Sequence, residues 1–180
     1  MSITTHERPG VYSSYGASSL IRGSGGRKTV GLVAVNTKAT AKTVYTITSY
    51  EEAVTTFGSA GGQDMAELIR VILLNGAAAV AAVPIAASTD YEAGFAGLEG
   101  QENVSVVVCD STTQTDQQDL RDSVAAASAA RRERIAVVGG AASETVTNLI
   151  SRAAALNSER VVLVAPGGTD EDGTALSGIT

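Results

Sequence analysis

The sequence predicts an α/β fold: a mostly parallel sheet with helices on both faces, preceded by an extended N-terminal arm. Three observations predict it. From Thr29 onward, short valine-rich runs alternate with helix-like segments, the rhythm of strands joined by crossover helices. The helix-like segments open on Ser, Asp or Thr, the residues that cap helix N-termini. The first 28 residues break both patterns, because Pro9, Gly10, Gly16, Gly23, Gly25 and Gly26 lie there among several serines and forbid long regular structure.

Within residues 1–28, the stretches 11–15 (VYSSY) and 18–21 (SSLI) are short and β-prone. They carry too little apolar surface to hold themselves in place, so they need a sheet edge to pair with, in their own subunit or in another. Residues 29–36 (TVGLVAVN) then read as a strand buried on both faces, and 43–48 (TVYTIT) alternate as an outer or edge strand does. Ser49 caps a helix with Glu51 and Glu52 in its first turn, stopping near Gly58. Asp64 caps a stronger helix to Asn75 and Gly76, with Met65, Leu68, Ile69, Ile72 and Leu73 at helical spacing. Residues 79–84 are a strand, followed by a weak helix from Asp90 towards Leu98. The stretch 104–109 (VSVVVC) is the clearest strand of the chain. Thr115 and Asp116 open an alanine-rich helix to about Arg132. Residues 135–138 form a strand, Gly139-Gly140 a turn, and 143–156 a helix capped by Ser143. The last strand is 160–165 (RVVLVA), ended by Pro166, Gly167 and Gly168. This divides the chain into an arm with a glycine hinge (1–28), an α/β body (29–166) and the start of a further segment (167–180), as though it belonged to a longer protein.

Composition narrows the function. The 180 residues hold 13 Lys+Arg against 19 Asp+Glu, a net charge of -6, which argues against a general nucleic-acid binder because phosphate neutralisation needs a basic face. One Cys rules out an internal disulfide framework, and one His with one Cys leaves too few soft ligands for structural zinc. No run approaches the roughly 20 apolar residues of a membrane span, and no signal peptide opens the sequence; the expectation is a soluble intracellular protein without direct membrane insertion. There are 29 alanines and only 4% aromatics, so each buried side chain contributes little area and stabilisation by neighbouring copies is a natural supplement. Residues 1–42 carry Arg8, Arg22, Arg27, Lys28, Lys38 and Lys42 against Glu7 alone. A basic start on an acidic body suggests head-to-tail attraction between copies, or equally a basic tail that stays solvated.

No catalytic set emerges. His6 lies in the arm and Cys109 at the end of a buried strand, and nothing forces them together as a thiolate–imidazole pair; Cys109 reads as a small buried apolar residue. The last lysine is Lys42, which removes Schiff-base chemistry from the body. Residues 23–29 (GSGGRKT) have the wrong spacing for a phosphate loop and precede a strand instead of following one. The turn at Gly139 and Gly140, with Cys109, Asp110, Ser111 and Thr112 nearby, is where an α/β sheet can bind a nucleotide or other small ligand, though GGxxS is not a dinucleotide fingerprint. Asp170, Glu171, Asp172 and Gly173 suggest calcium, but no acidic residue closes the loop. No cofactor and no metal is expected.

The most distinctive stretch is 7–15 (ERPGVYSSY). With Ala17, Ser18, Ser19, the glycine hinge and 29–34 (TVGLVA), it resembles the N-terminus of contractile tail sheath proteins, found in contractile-tailed bacteriophages and in phage-tail-like bacteriocins. The order that follows, from Ser49 through the Asp64-led helix to Pro166, is similar too. The resemblance covers essentially all 180 residues but only the N-terminal portion of the family's usual chain; the C-terminal portion, which lies near the inner tube and supplies a second arm, has no counterpart here.

That resemblance implies a structural subunit and not an enzyme. It implies a helical homo-oligomer, in which the arm leaves its own subunit and adds strands to a sheet shared with neighbours. Arg8, Pro9, Gly10, Val11, Tyr12, Tyr15, Leu20 and Ile21 would form the inter-subunit arm, and Gly23, Gly25 and Gly26 the hinge. Tail tube and baseplate proteins are implied partners, and the virion tail or phage-tail-like particle, assembled in the bacterial host cytoplasm, is the implied location. The competing expectation is a small α/β nucleotide- or ligand-binding protein with its site at the Gly139–Gly140 turn.

Overall fold

The structure, a computed structural model, describes residues 28–59, 62, 64–141 and 144–165. The arm residues Arg8 to Ile21, the hinge glycines and the acidic loop at Asp170 lie outside the described residues.

Eleven elements follow one another: β1 (Thr29–Val35), β2 (Tyr45–Ile47), α1 (Tyr50–Phe57), α2 (Met65–Leu74), β3 (Ala79–Ile85), α3 (Tyr91–Leu98), β4 (Val104–Cys109), α4 (Gln114–Ala129), β5 (Ile135–Gly139), α5 (Val146–Leu156) and β6 (Val161–Val164). The strands form one sheet in the order β2-β3-β1-β4-β5-β6. All neighbours pair in parallel except β2, which runs antiparallel to β3 at one edge. The α/β expectation therefore holds, and the short alternating 43–48 stretch is indeed the edge strand.

Helices cover both faces. On one side Leu32, Ala34, Val80 and Ala82 meet Phe57 of α1 and Met65, Leu68, Ile69 and Ile72 of α2. On the other, Val33, Val83, Val107 and Cys109 meet Tyr91, Phe95 and Leu98 of α3, Leu120 and Val124 of α4, and Leu156 of α5. Strand β1 lies between them, with Leu32, Val33 and Ala34 wholly inaccessible; alternate side chains enter opposite layers, which is why its sequence carries no polar side chain from Val30 to Val35. Helix α3 lies very close to the sheet: a Cβ on Gly94 would be 2.5 Å from Val33 Cγ1 and 2.9 Å from Ile85 Cγ2.

The caps act as the sequence suggests in two places. Ser49 Oγ accepts from the Glu52 N–H at 3.3 Å and Asp64 Oδ1 from the Glu67 N–H at 2.9 Å. Helix α3, without a basic residue in its last turn, has its carbonyl end met from elsewhere: buried Arg134 donates to the carbonyls of Leu98 (3.1 Å) and Gln101 (2.7 Å), and Arg132 to that of Glu99.

Two boundaries are corrected. Helix α4 starts at Gln114 and ends at Ala129, not from Thr115 to Arg132. Ser111 accepts from the Thr113 N–H at 3.1 Å and donates to Asp116, which builds the first turn from outside the helix, and Arg131 at φ 62 ends it. Helix α5 starts at Val146 with Thr145 as its cap, accepting from the Asn148 N–H; the expected cap, Ser143, lies outside the described residues. The residue before Thr145, Glu144, instead closes the turn by accepting from the Ala141 N–H at 3.1 Å.

Candidate functional site

The fold brings together the residues of the expected ligand turn. Cys109 ends β4 and Asp110, Ser111 and Thr112 follow it; Gly139 ends β5, its neighbour in the sheet, and Gly140 follows. In an open α/β sheet this is where a ligand crevice forms. Here the space holds the chain's own side chains. Arg152, reaching in from α5, donates to Glu144 Oε1 at 2.9 Å, to the Thr112 carbonyl at 2.8 Å and to Gln117 Oε1 at 3.1 Å. Gln117, itself inaccessible, donates to the carbonyls of Gly139 (2.8 Å) and Ser111 (3.3 Å). Gly140 is explained by packing, since a Cβ there would stand 2.7 Å from Leu149 Cδ2 of α5.

The electrostatics are those of a structural joint. The Arg152 guanidinium holds the Glu144 carboxyl below the usual range by hydrogen bonding. Burial pushes the Cys109 thiol up to about 12, so it stays protonated at neutral pH and is a poor nucleophile. Burial also raises the Asp110 carboxyl, against the opposing pull of its bonds from Tyr91 Oη and the Val35 N–H. Asp110 thereby ties the ends of β1 and β4 to the start of α3. The network's centre, Arg152, was not singled out in the sequence, yet it had a signal: it is the only charged residue in α5 (VTNLISRAAAL).

Among the described residues, a cavity opens at either end of the sheet. One of about 410 Å³ borders Val35, Asn36, Lys38, Phe57, Gly58 and Asp64. Its polar groups serve the helices: Asn36 Nδ2 donates to the Phe57 carbonyl at 2.9 Å and Lys38 Nζ to that of Thr55 at 3.1 Å, satisfying carbonyls at the negative end of α1, and Asp64 caps α2. The other, about 680 Å³, is lined by Thr29, Thr46, Thr48, Ala78, Ala79 and Asn103. None of the described residues that line it is ionisable, and it lies at the amino end of β1. Among the described residues, no group of three or more His, Cys, Asp or Glu is placed to hold a metal, and no helix is long and apolar enough to cross a membrane.

No protein-family model and no curated protein matches the sequence. Solved structures do match the fold. A sheath tail protein from Desulfitobacterium hafniense superposes with a TM-score of 0.63 at 10% identity, covering 93% of this chain and 59% of that one. A sheath tail protein from Listeria innocua gives 0.63 at 13% identity, covering 89% and 56%. The helical sheath of the anti-feeding prophage in its contracted state gives 0.60 at 14% identity, covering 96% and 50%. The fold of this chain is thus that of tail sheath proteins, and the chain spans about half to three-fifths of their length.

Proposed function

We propose that this protein is a structural subunit of a contractile tail sheath: it polymerises into a helical sleeve around an inner tube and contracts by subunit rearrangement, driving the tube through a cell envelope. The observation that carries the reading is the sheath-protein fold, matched in three separate structures over 89–96% of this chain. The ERPGVYSSY stretch supports it independently, since it lies in the sequence and not in the fold. The reading as a small nucleotide- or ligand-binding protein loses its site, because Arg152, Gln117 and Glu144 fill the crevice it requires.

The protein works by assembly and not by catalysis. Arg8, Pro9, Gly10, Val11, Tyr12, Tyr15, Leu20 and Ile21 add as strands to a neighbouring copy, where backbone bonds give affinity and alternate side chains give register. Gly23, Gly25 and Gly26 let the α/β body, 29–166, swing while the arm stays paired, and 167–180 lead into the remainder of a longer subunit. A head-to-tail contact of this kind does not close on itself, so it propagates a helix. Contraction is a cooperative shift of near-rigid bodies between two lattices, with no nucleotide consumed. The tube and baseplate are its partners, and the tail particle, assembled in the bacterial host cytoplasm, its location.

Deleting residues 1–28 tests the arm. The body stays folded and soluble but forms no sheaths by negative-stain microscopy; sheaths of normal length from the deletion refute the arm's role. Raising salt from 50 to 500 mM (about 14 to 4 Å of screening length) weakens assembly if the basic arm is drawn to the acidic body; salt-insensitive assembly leaves the backbone pairing and removes the electrostatic part.

A further inference from the structure

The two faces of the sheet are not covered alike. Helices α3, α4 and α5 lie on one face, and Ala136 and Val138 of β5 with Val161 and Leu163 of β6 turn towards them. On the other face the main contacts of α1 and α2 are with β1, β2 and β3. Val106 and Val137 pack at the margin of that layer, which identifies the same face in β4 and β5. The parallel register then adds Ile135, beside Val106, and Val162, beside Val137, and the pleat adds Val164.

Burial falls away across this row. Val108 is buried, Val106 and Val137 are half-buried, and Ile135 and Val162 are 41% and 48% exposed. From Val106 to Val164, every side chain on this half of the face is valine or isoleucine, with Gly139 between them. Glu133 and Arg160, just ahead of β5 and β6, pair with each other. Parallel strands of such composition belong to sheets buried on both sides, so among the described residues the β4–β5–β6 half of this face lacks its covering layer.

The winding of the chain indicates where that layer comes from. From β1 the chain reaches β3 through α1 and α2, on the one face; from β3 it moves the opposite way to β4, β5 and β6 through α3, α4 and α5, on the other. This coupling of face to direction is that of right-handed crossovers. By the same rule, a chain that leaves β6 and turns back towards β1 crosses the α1–α2 face, over its uncovered half.

Residues 166–180 leave from the right place to do so. They follow β6, and Pro166, Gly167 and Gly168 keep that strand from running on. After the polar stretch 169–173 (TDEDG) come Ala175, Leu176 and Ile179, and the last two are the only large apolar side chains after Val164. The nine residues 165–173 span up to about 30 Å when extended, whereas Val162 lies only about 7 Å back along the strand from Val164. A tether this short holds the segment at high effective concentration over the face, an advantage no second molecule has.

We propose that residues 174–180 (TALSGIT) fold back over the α1–α2 side of the sheet and seat Leu176 and Ile179 on Ile135, Val137 and Val162, supplying the layer that β5 and β6 lack there. The contact lies within one chain and does not depend on the sheath reading.

The test uses the full chain, at concentrations where it sediments as a monomer, with Val162→Cys and Ile150→Cys as separate variants. Ile150, 65% exposed, is on α5, across the sheet from the proposed contact, and buried Cys109 with its raised thiol stays silent. A maleimide labels the thiol at 162 at least about tenfold more slowly than the thiol at 150, because it reacts only when the cover opens. Adding Leu176→Asp and Ile179→Asp raises the rate at 162 and leaves that at 150 unchanged. As a second measurement, a short bismaleimide links the two thiols of a Val162→Cys, Leu176→Cys double variant within one chain, and does not link those of Ile150→Cys, Leu176→Cys. Equal labelling rates at 162 and 150, or linking of both pairs alike, overturn the proposal, since the segment then ranges over both faces. Protection at 162 that survives Leu176→Asp and Ile179→Asp, or that fades on dilution, overturns it as well, because something other than residues 174–180 then covers the face.

Discussion

Helix α3 (YEAGFAGL) carries two glycines that should respond oppositely to the same substitution. Replacing a glycine inside a helix by alanine removes backbone freedom from the unfolded chain and favours the helix by about 0.5–1 kcal/mol. At Gly97 the new methyl finds Val83 Cγ1 at 3.5 Å, an ordinary contact, so Gly97→Ala keeps that gain. At Gly94 it would stand 2.5 Å from Val33 Cγ1 and 2.9 Å from Ile85 Cγ2. Both neighbours are fully buried β-branched residues on β1 and β3, with restricted χ1 and no free space, so the helix or the sheet must move. Overpacking of this kind costs about 1–3 kcal/mol, and the closeness of the contact places Gly94→Ala near the upper end, a net loss of about 2 kcal/mol after the helical gain. At roughly 3 °C per kcal/mol for a chain of this size, Gly94→Ala melts about 6 °C below wild type and Gly97→Ala about 2 °C above it. Urea unfolding followed by circular dichroism reads both, as midpoint shifts at constant slope. Shifts of the same sign, or a Gly94→Ala midpoint at the wild-type value, would refute the close approach of α3 to the sheet.

Arg152→Met removes the partner of Glu144 and a donor to Thr112 and Gln117, and should destabilise by about 3 kcal/mol, as broken pairs with little solvent access do. Because Arg152 holds the Glu144 carboxyl below its ordinary value, that stabilisation is complete above the unfolded carboxyl range near about pH 4.3 and is lost as pH falls through the folded value. Melting temperatures between pH 7 and pH 3 should therefore fall less steeply in Arg152→Met than in wild type; parallel curves would remove the pair from the acid response. Ser49→Ala should cost about 1 kcal/mol and speed amide exchange in the first turn of α1, with α5 unaffected; unchanged exchange at Glu52 would discard the cap.

The strands and most helices were legible because each carries its own local signature. The run VSVVVC gave β4 to the residue, and Ser49 and Asp64 marked α1 and α2 because their side chains meet the N–H groups three positions on. The start of α5 was misplaced at Ser143 since Glu144, two residues after Ala142, is drawn into a long-range pair with Arg152, and no local rule reports that. The sheet order is likewise beyond periodicity: nothing in TVGLVAV says that β3 and β4 will flank it on either side. At the candidate ligand turn, the sequence brought the right residues together and missed what fills the space, because Arg152 and Gln117 come from helices 35 positions apart.

The position of β1 has a mechanical consequence. The chain that precedes it reaches the body at Thr29, the amino end of a strand gripped by parallel partners on both flanks, with Thr29 to Val35 paired to β3 and Thr29 to Val33 to β4. Tension arriving through residue 28 would act lengthwise on one of the two central strands, so yielding means sliding it past two ladders of hydrogen bonds at once, where an edge strand would peel one bond at a time. A tether fastened there pulls on the whole body before it can unravel any part of it.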